Sequence, residues 1–574
     1  MKVIITAINT KYIHSNLAVY NLKAYSEHEF KGEMEIAEYT INMYVDDIIR
    51  DLYRKKPDIL AFSCYIWNKR YITDIVNEIK KILPDTQIWL GGPEASYNAE
   101  GMLRDIHSFD GIMYGEGEKV FNNMMHFWEK CVNDNIKYLP HNIKGVVYRD
   151  GQNIVRTQPE EIMDMSDIPF VYNDMELFEN KIIYYESSRG CPFSCSYCLS
   201  SIDKQLRFRD INLVKEELGF FIRNNVKQVK FVDRTFNCNK KRAMDIWKYI
   251  YENDNGVTNF HFEISADLID DEQIQLLRKF RPGLAQFEIG VQTTNQRTIK
   301  AINRTMNLDK LKNVVKKIND GNNIHQHLDL IIGLPYEDYD SFVNSFNDVY
   351  NMEPEQLQVG FLKVLKGSLM SEKAGEYGIV CGSNPPYEVL YTKWINFDEV
   401  IHLKQVEEMV EVYYNSGQFV NTIKYLQHFF SQPFELFDEM AGYYDSHGYF
   451  ELKHSRMARY EILYEIMKHR TGIKSDMLED VMLYDLYLRE NIKSRPCFYK
   501  KPLGERNKIY ELQRNYKEAG NLVHAEMFRY NPEDIAGKGQ TEKLDTYILF
   551  DYRERNPLNN NAKVNVVGQR EVDG

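Results

Sequence analysis

Residues 186–201 read ESSRGCPFSCSYCLSS, and three of the chain's eight cysteines, Cys191, Cys195 and Cys198, stand inside that stretch at spacings of four and then three. Two cysteines three apart can hold one side of a zinc ion, but a tetrahedral site needs a fourth ligand close by. None follows: the next cysteine is Cys238 and the nearest histidine beyond it is His261. Three thiolates suit a different object, a cubane iron–sulfur cluster with three irons held and one left open. A zinc ribbon or a purely structural cluster is the competing reading, and the neighbouring elements decide between them.

From Lys181 onward six strand-like runs recur: KIIYYES (181–187), QVKFVD (228–233), NFHFEI (259–264), LAQFEI (284–289), IHQHLDLII (324–332) and EQLQVGFL (355–362). Helical stretches separate most of them. Six such units predict a partial (β/α)6 barrel over 181–385 whose active face lies at the strands' carboxyl ends. The three cysteines follow the first strand, on that face.

Upstream, residues 1–130 alternate VIITAI (3–8), MEIAEY (34–39), DILAFSC (58–64), QIWLGG (87–92) and GIMY (111–114) with amphipathic segments. This pattern predicts an α/β fold with a doubly wound, flavodoxin-like parallel sheet, its ligand at the strands' carboxyl ends. There sit SCYIWN, GGPEAS and YGEGE. Gly91, Gly92 and Pro93 make a turn with no side chain to obstruct a flat ligand, and Gly115 and Gly117 flank Glu116 in the next loop. A nucleotide or a flavin fits this pattern as well as any other flat cofactor. Residues 131–180 read as a linker holding a hairpin turned at Asp150-Gly151. Residues 386–574 read as a mostly helical domain ending in short strands.

The length of 574 residues fits about three domains. Hydrophobic residues at 43% and charged residues at 27% are those of a globular protein, and no run of ~18 apolar residues marks a membrane span. The short, polar N-terminal stretch is no signal peptide, which points to the cytoplasm. A net charge of −13 argues against broad attraction to nucleic acid or anionic lipid, leaving only a local basic groove open. Eight cysteines are too few for a disulfide scaffold and fit a reducing compartment. One late segment, SRPCFYKKPLGERNK (494–508), is basic and aromatic: it suits an anionic substrate or is a solvated loop. Its Cys497 is a second-cluster ligand or a bystander.

The ordered combination PDILAFS, GGPEAS and YGEGE resembles the cobalamin-binding domain found ahead of radical SAM enzymes. That resemblance implies that Ser63, Gly91, Gly92, Gly115 and Gly117 line cobalamin and its nucleotide tail. The Asp-x-His-x-x-Gly motif that supplies a histidine to cobalt is missing; Tyr12, His14 and Ser15 follow the first strand instead. His14 either caps a helix or touches cobalamin. Tyr65 and Trp67 are expected over the lower corrin face.

The CxxxCxxC loop, with Tyr197 before its last cysteine, resembles the radical SAM family. The resemblance implies a [4Fe–4S] cluster on Cys191, Cys195 and Cys198, S-adenosyl-L-methionine (SAM) on the open iron, and a 5′-deoxyadenosyl radical. EIGVQTTNQRTIKAINR (288–304) and LDLIIGLPYED (328–338) are similar to segments of the oxygen-independent coproporphyrinogen oxidases. This implies Gln292 and Asp329 at the SAM ribose and nucleoside, Arg304 at its carboxylate, and Glu263 at the methionyl amine or ribose. Arg304 as a helix cap and Glu263 as a buried ion-pair partner are the structural alternatives. The usual Gly-Gly-Glu segment is replaced by VDRTFN, which makes Asp233, Thr235 and Asn237 candidates toward substrate or cobalamin.

Strand alternation puts His325 and His327 on the face of Asp329, and His261 on that of Glu263. His327 and His261 are the acid–base candidates; buried polar packing is the alternative, above all for His325. Taken together the resemblances imply cobalamin-dependent methyl transfer to an unactivated carbon. A rearrangement or cyclisation without methyl transfer is the second reading, and a non-catalytic cobalamin or redox sensor the third. They also imply an anaerobic setting, an electron donor such as flavodoxin or ferredoxin, and an unassigned small-molecule or peptide substrate.

Overall fold

The computed structural model describes residues 1–134, 136, 138–492, 495–499, 509, 512 and 522–571. The chain forms two compact units. The first comprises Met1–Lys279, Lys300–Met306 and Leu362–Thr392; the second comprises Phe280–Ile299, Asn307–Phe361 and Lys393–Gly574.

The first unit opens with a seven-stranded sheet of β1 (Lys2–Asn9), β2 (Glu33–Thr40), β3 (Ile59–Ser63), β4 (Gln87–Gly91), β5 (Gly111–Met113), β6 (Val146–Asp150) and β7 (Asn153–Arg156), in the order β2-β1-β3-β4-β5-β6-β7. The first five strands run parallel. Alternate residues of β1 feed two cores. Ile4 and Ile8 pack with Ile48, Leu52, Ile72, Ile75, Val76 and Ile79; Val3, Ile5 and Ala7 pack with Val19, Val120, Phe121 and Met124. A strand buried on both faces reads as a continuous apolar run, which VIITAI is. Its two covers differ in pattern: the helix Lys69–Ile82 presents Ile72, Ile75, Val76 and Ile79, one stripe at helical spacing.

The hairpin expected within a linker is part of this sheet. β6 pairs antiparallel with β5, Gly111 opposite Tyr148, and so covers an edge that β5 would otherwise expose.

Further along the first unit, β8 (Ile183–Tyr185), β11 (Gln228–Phe231) and β12 (Asn259–Ile264) pair in parallel. Between β8 and β11, the two-residue strands β9 (Ser188–Arg189) and β10 (Arg207–Phe208) pair antiparallel and close the base of the cysteine loop.

In the second unit, β13 (Ala285–Gln292), β14 (His325–Ile332) and β15 (Gln356–Phe361) are parallel with β14 in the middle. Phe287, Ile289, Val291, Leu328, Leu330 and Ile332 are buried, while the alternate face carries Gln286, Glu288, Gln292, His325, His327 and Asp329. Back in the first unit, Leu362–Thr392 holds a small hairpin of β16 (Val380–Cys381) and β17 (Val389–Tyr391). The second unit then continues as helices, among them Phe397–Met409, Pro433–Ser446 and Ser475–Arg489, the last buried almost all round. It closes on an antiparallel sheet of β18 (Val523–Phe528), β19 (Leu544–Arg555) and β20 (Ala562–Glu571). Among the described residues no helix is long and apolar enough to cross a membrane.

Candidate functional site

The cysteine loop is shaped by its backbone before any ligand is considered. Gly190 has φ +85°, and a Cβ there would lie 2.6 Å from the Gln205 carbonyl oxygen, so only glycine fits the entry. The Cys191 N–H donates to the Asp203 carbonyl at 3.1 Å and the Ser196 N–H to that of Ile302 at 2.9 Å. The Ser201 hydroxyl lies 2.8 and 2.7 Å from the Cys195 and Cys198 carbonyls. Cys191 and Cys195 are buried and Cys198 half-buried, all three as free thiols. Arg304 points Nη1 at Cys195 Sγ, 3.7 Å away, and donates to the Tyr197 hydroxyl at 3.2 Å.

Among the described residues no three His, Cys, Asp or Glu side chains converge on a point that could hold one metal ion.

At the carboxyl ends of the first sheet lies a cavity of about 290 Å³. Ser63, Gly91, Gly92, Gly115 and Gly117, spread over three loops of sequence, all line it, with Ile5, Ala61 and Phe121 as apolar walls. The glycines are what keep it open. A Cβ on Gly115 (φ +85°) would meet nothing within 4 Å and would stand in open space. One on Gly92 (φ +99°) would collide with the Cys64 carbonyl at 2.6 Å. An apolar, glycine-walled cleft fits a flat heterocycle.

Tyr65 lines this cavity, and Trp67 stacks on Tyr65 with ring centroids 4.3 Å apart and planes at 8°. Asn68 holds their loop in place: it accepts from the Tyr65 N–H and donates to the Ile8 and Ser63 carbonyls. Trp67 is 41% exposed, so an apolar ring faces outward above the sheet.

The cavity and the cysteine loop share a residue that sequence reading did not single out. Arg189, two positions before Cys191, lines the cavity with Glu116, Glu118 and Glu186. It donates to both Glu118 oxygens (2.5 and 3.1 Å) and both Glu186 oxygens (2.9 and 3.0 Å), with Glu116 at 3.6 Å. Burial opposes the charge on Glu118, but Arg189 outweighs it and holds that carboxyl below its ordinary range. Burial wins at Glu186, whose carboxyl is pushed up despite the same partner. Arg207 takes the remaining contact with Glu116 at 2.5 Å.

The remaining candidates have protein partners of their own. His14 is not among the residues that line the cavity, and its Nδ1 bonds the Tyr184 hydroxyl at 2.7 Å. Asp233 is a buried acceptor for the Ser187 N–H and the Ser187 and Ser188 hydroxyls. Asn237 braces Ser265 through both its amide oxygen and nitrogen. Of the three VDRTFN candidates only Thr235 reaches the cysteines, 3.8 Å from Cys191 Sγ. His261 and Glu263 share β12, with His261 buried. Cys497 is exposed, 3.2 Å from a Glu461 oxygen. Most of the basic segment around it, Ser494 and 500–508, lies outside the described residues.

In the second unit, Gln292 ends β13 at a bulge with φ +72°, a conformation that costs a non-glycine residue of order 1–3 kcal/mol. Its amide oxygen is buried without a hydrogen-bond partner among the described residues. Strain and an orphan acceptor together fit a ligand donor there. On the adjacent strand His327 Nε2 lies 3.3 Å from Asp329 Oδ1, and His325 at the strand's start meets Gln356 at 3.4 Å.

Comparison with known families agrees with this geometry. Residues 3–124 match the B12 binding domain, 185–349 the radical SAM superfamily, and 375–566 a protein family of unknown function, DUF4080. The chain thus joins a B12 binding domain, a radical SAM domain and a DUF4080 region in that order.

Cobalamin, SAM and a [4Fe–4S] cluster are therefore the cofactors of this radical SAM enzyme. It is 25% identical over 348 residues to the cobalamin-dependent radical SAM methyltransferase TokK of Streptomyces tokunonensis, covering 56% of this chain and 50% of that one. It is 22% identical over 354 residues to the anaerobic magnesium-protoporphyrin IX monomethyl ester cyclase of Cereibacter sphaeroides, covering 58% and 54%. The chain spans about half the length of the curated relatives it matches. In fold it is similar to the cobalamin-dependent SAM radical enzyme OxsB solved with aqua-cobalamin and SAM, at a TM-score of 0.58 and 14% identity over 81% of this chain and 78% of that one.

Proposed function

We propose that this radical SAM enzyme transfers a methyl group, by way of cobalamin, to a substrate carbon that is not nucleophilic. The observation that carries the reading is Arg189, a wall of the glycine-lined cavity that also stands two residues before the first cluster cysteine. A corrin and a cluster held by one compact unit suit a reaction in which a methyl group and a substrate radical must meet. Preset proximity of that kind is worth several kcal/mol. When bound, the cluster and SAM supply a carbon-centred radical, and cobalamin supplies the methyl group.

The residues divide the work as follows. Cys191, Cys195 and Cys198 hold three irons as thiolates, with Tyr197 and Arg304 packed against them; Arg304 also offers SAM's carboxylate a charged donor. Glu263 accepts from the methionyl amine or ribose, and Gln292 and Asp329 bind the ribose and nucleoside. Ser63, Gly91, Gly92, Gly115 and Gly117 receive cobalamin's nucleotide tail. Tyr65, with Trp67 stacked on it, would cover the corrin and shield it from water. His327, oriented by Asp329, and His261 accept or return a proton at a ring nitrogen. Each turnover consumes SAM as both methyl donor and radical source, with electrons from a flavodoxin- or ferredoxin-type donor. It releases S-adenosylhomocysteine, 5′-deoxyadenosine and methionine.

Methyl-labelled SAM, incubated anaerobically with the cobalamin-loaded enzyme and a low-potential reductant, tests this. Label in cobalamin, with S-adenosylhomocysteine formed alongside 5′-deoxyadenosine, is expected. Formation of 5′-deoxyadenosine alone would exclude methyl transfer. It would favour a cyclisation or rearrangement, a reading supported by the likeness to the magnesium-protoporphyrin cyclase. Failure to cleave SAM at all would leave a non-catalytic sensor.

A further inference from the structure

One segment of the first unit lies far along the chain from the loops it is bonded to. Leu362–Thr392 forms a strap: it folds on itself through β16 and β17, and through bonds from the Val364 N–H to the Tyr387 carbonyl (3.0 Å) and the Val389 N–H to the Leu362 carbonyl (2.8 Å). The strap meets both halves of the site. At one point the Met370 N–H donates to the carbonyl of Ser196, between Cys195 and Tyr197, at 2.7 Å.

At another point the Tyr387 side chain enters the cobalamin-binding domain. Its hydroxyl donates to Glu94 Oε1 at 2.5 Å and accepts from Lys69 Nζ at 2.8 Å, and Lys69 pairs with the same Glu94 oxygen at 2.8 Å. Glu94 and Tyr387 are each 4% exposed. Tyr387 has φ +57°, a left-handed backbone that a tyrosine adopts only where its surroundings hold it. Beside it Gly367, φ +85°, lies under the Tyr97 ring, where a Cβ would come within 2.5 Å of Cδ1.

The partners are the two loops that frame the cavity. Glu94 follows Gly91, Gly92 and Pro93; Lys69 follows Trp67 and Asn68. Each loop end is thus fixed to the other through one buried triangle, and the third corner belongs to the strap. Tyr387 also falls inside residues 375–566, the region matching the family of unknown function.

We propose that Tyr387 is a positioning residue for cobalamin, and that the strap sets the spacing between corrin and cluster. The proposal rests on the reading that loops 64–68 and 91–97 hold the corrin. It assigns a task to the strap, whose later part from residue 375 falls in the DUF4080 region: Tyr387 there locks the two corrin loops to each other, and Met370, just ahead of that region, ties the strap to the cluster loop through Ser196. Tyr387 touches no reacting atom.

The test uses the full chain, reconstituted anaerobically, as wild type, Tyr387→Phe and Lys69→Gln. Tyr387→Phe removes one oxygen and keeps the ring; Lys69→Gln opens the same triangle from the other side, should the first variant fold poorly. Equilibrium cobalamin binding, iron content, melting temperature and the magnetic interaction between cob(II)alamin and the reduced cluster are measured. The expected result is a cobalamin Kd weakened roughly tenfold, about 1.4 kcal/mol, with wild-type iron content and an altered cobalt–cluster interaction. A lowered melting temperature with unchanged Kd and unchanged interaction would make the triangle a mere structural contact and overturn the proposal. Wild-type protein that binds no cobalamin would instead overturn the corrin reading, and the proposal with it.

Discussion

Replacing Arg189 by methionine removes the cation from the centre of three carboxylates while keeping most of the side chain's volume. The guanidinium makes four hydrogen bonds to Glu118 and Glu186. Stripping one partner from a buried ion pair costs about 3–5 kcal/mol, because the remaining charge is left without its counterion. Glu118, 5% exposed, feels nearly all of that. Glu186 at 21% is partly solvated, and Glu116 keeps Arg207, which pulls the total to the low end, about 3 kcal/mol near pH 7.5.

The sign of the pH dependence follows. In the wild type Arg189 holds Glu118 below its ordinary value of 4.5, so that group's stabilisation is present above 4.5 and lost only as pH falls through the lowered value. In the variant burial is unopposed and both carboxyls rise. The folded variant then binds protons that the unfolded chain does not, and its stability falls as pH rises. The gap to wild type should therefore narrow on going from about pH 7.5 to about pH 5.5, by up to about 1.4 kcal/mol for each pH unit over which one carboxyl titrates. Urea unfolding followed by circular dichroism at the two pH values measures it. A loss under about 1 kcal/mol at the higher pH, or a gap that stays the same or widens at the lower, would refute the reasoning.

Three shorter predictions accompany it. Cys198→Ala should abolish cluster absorbance and iron binding in anaerobically reconstituted protein, whereas Cys497→Ala should leave both unchanged; wild-type iron in the first would put the cluster elsewhere. Gly115→Val places a branched side chain in open cavity space at φ +85°, costing about 1–2 kcal/mol of backbone strain, and should abolish cobalamin binding with secondary structure intact. Near-normal binding there would remove the cavity from consideration. In the second unit Glu337 accepts from the Thr293 and Ser345 hydroxyls, and burial pushes its carboxyl up to about 7. Its stabilisation is full below about 4.5 and lost as pH rises through about 7, about 3 kcal/mol at most; Glu337→Gln should flatten that part of the stability–pH profile, and an unchanged profile counts against it.

What could be read in the sequence was what lies close together along it. Cys191, Cys195, Cys198 and Tyr197 form one loop, so their spacing proposed a cluster and the family resemblance its chemistry. The five cavity residues Ser63, Gly91, Gly92, Gly115 and Gly117 sit on three loops, but each follows an apolar run, and a parallel sheet necessarily gathers such loops at one end. The hairpin turn at Asp150-Gly151 was visible for the same local reason, yet its attachment to β5 was not. An antiparallel pair added to a sheet edge leaves no mark in the hairpin's own residues. His14 shows the converse: nothing near it in sequence announces Tyr184, whose hydroxyl takes up its ring nitrogen.

The missed residues share one trait, being charged or phenolic side chains whose partners are remote. Arg189 meets Glu118 across 71 positions and Tyr387 meets Glu94 across 293. In sequence such residues look like solvated surface, since Lys, Arg and Glu are seldom fully buried unless paired. Their location in the fold carries the physical point. The sheets of the first unit are joined to their helices by apolar contact, which is strong but indifferent to small sliding. The loops over the cavity and the cysteines are crossed by charged side chains with remote partners. Charged hydrogen bonds, short and directional, fix them instead. A buried ion pair adds little net stability against an apolar replacement, so its presence where loops must hold a corrin near a cluster is better explained by geometry than by stability.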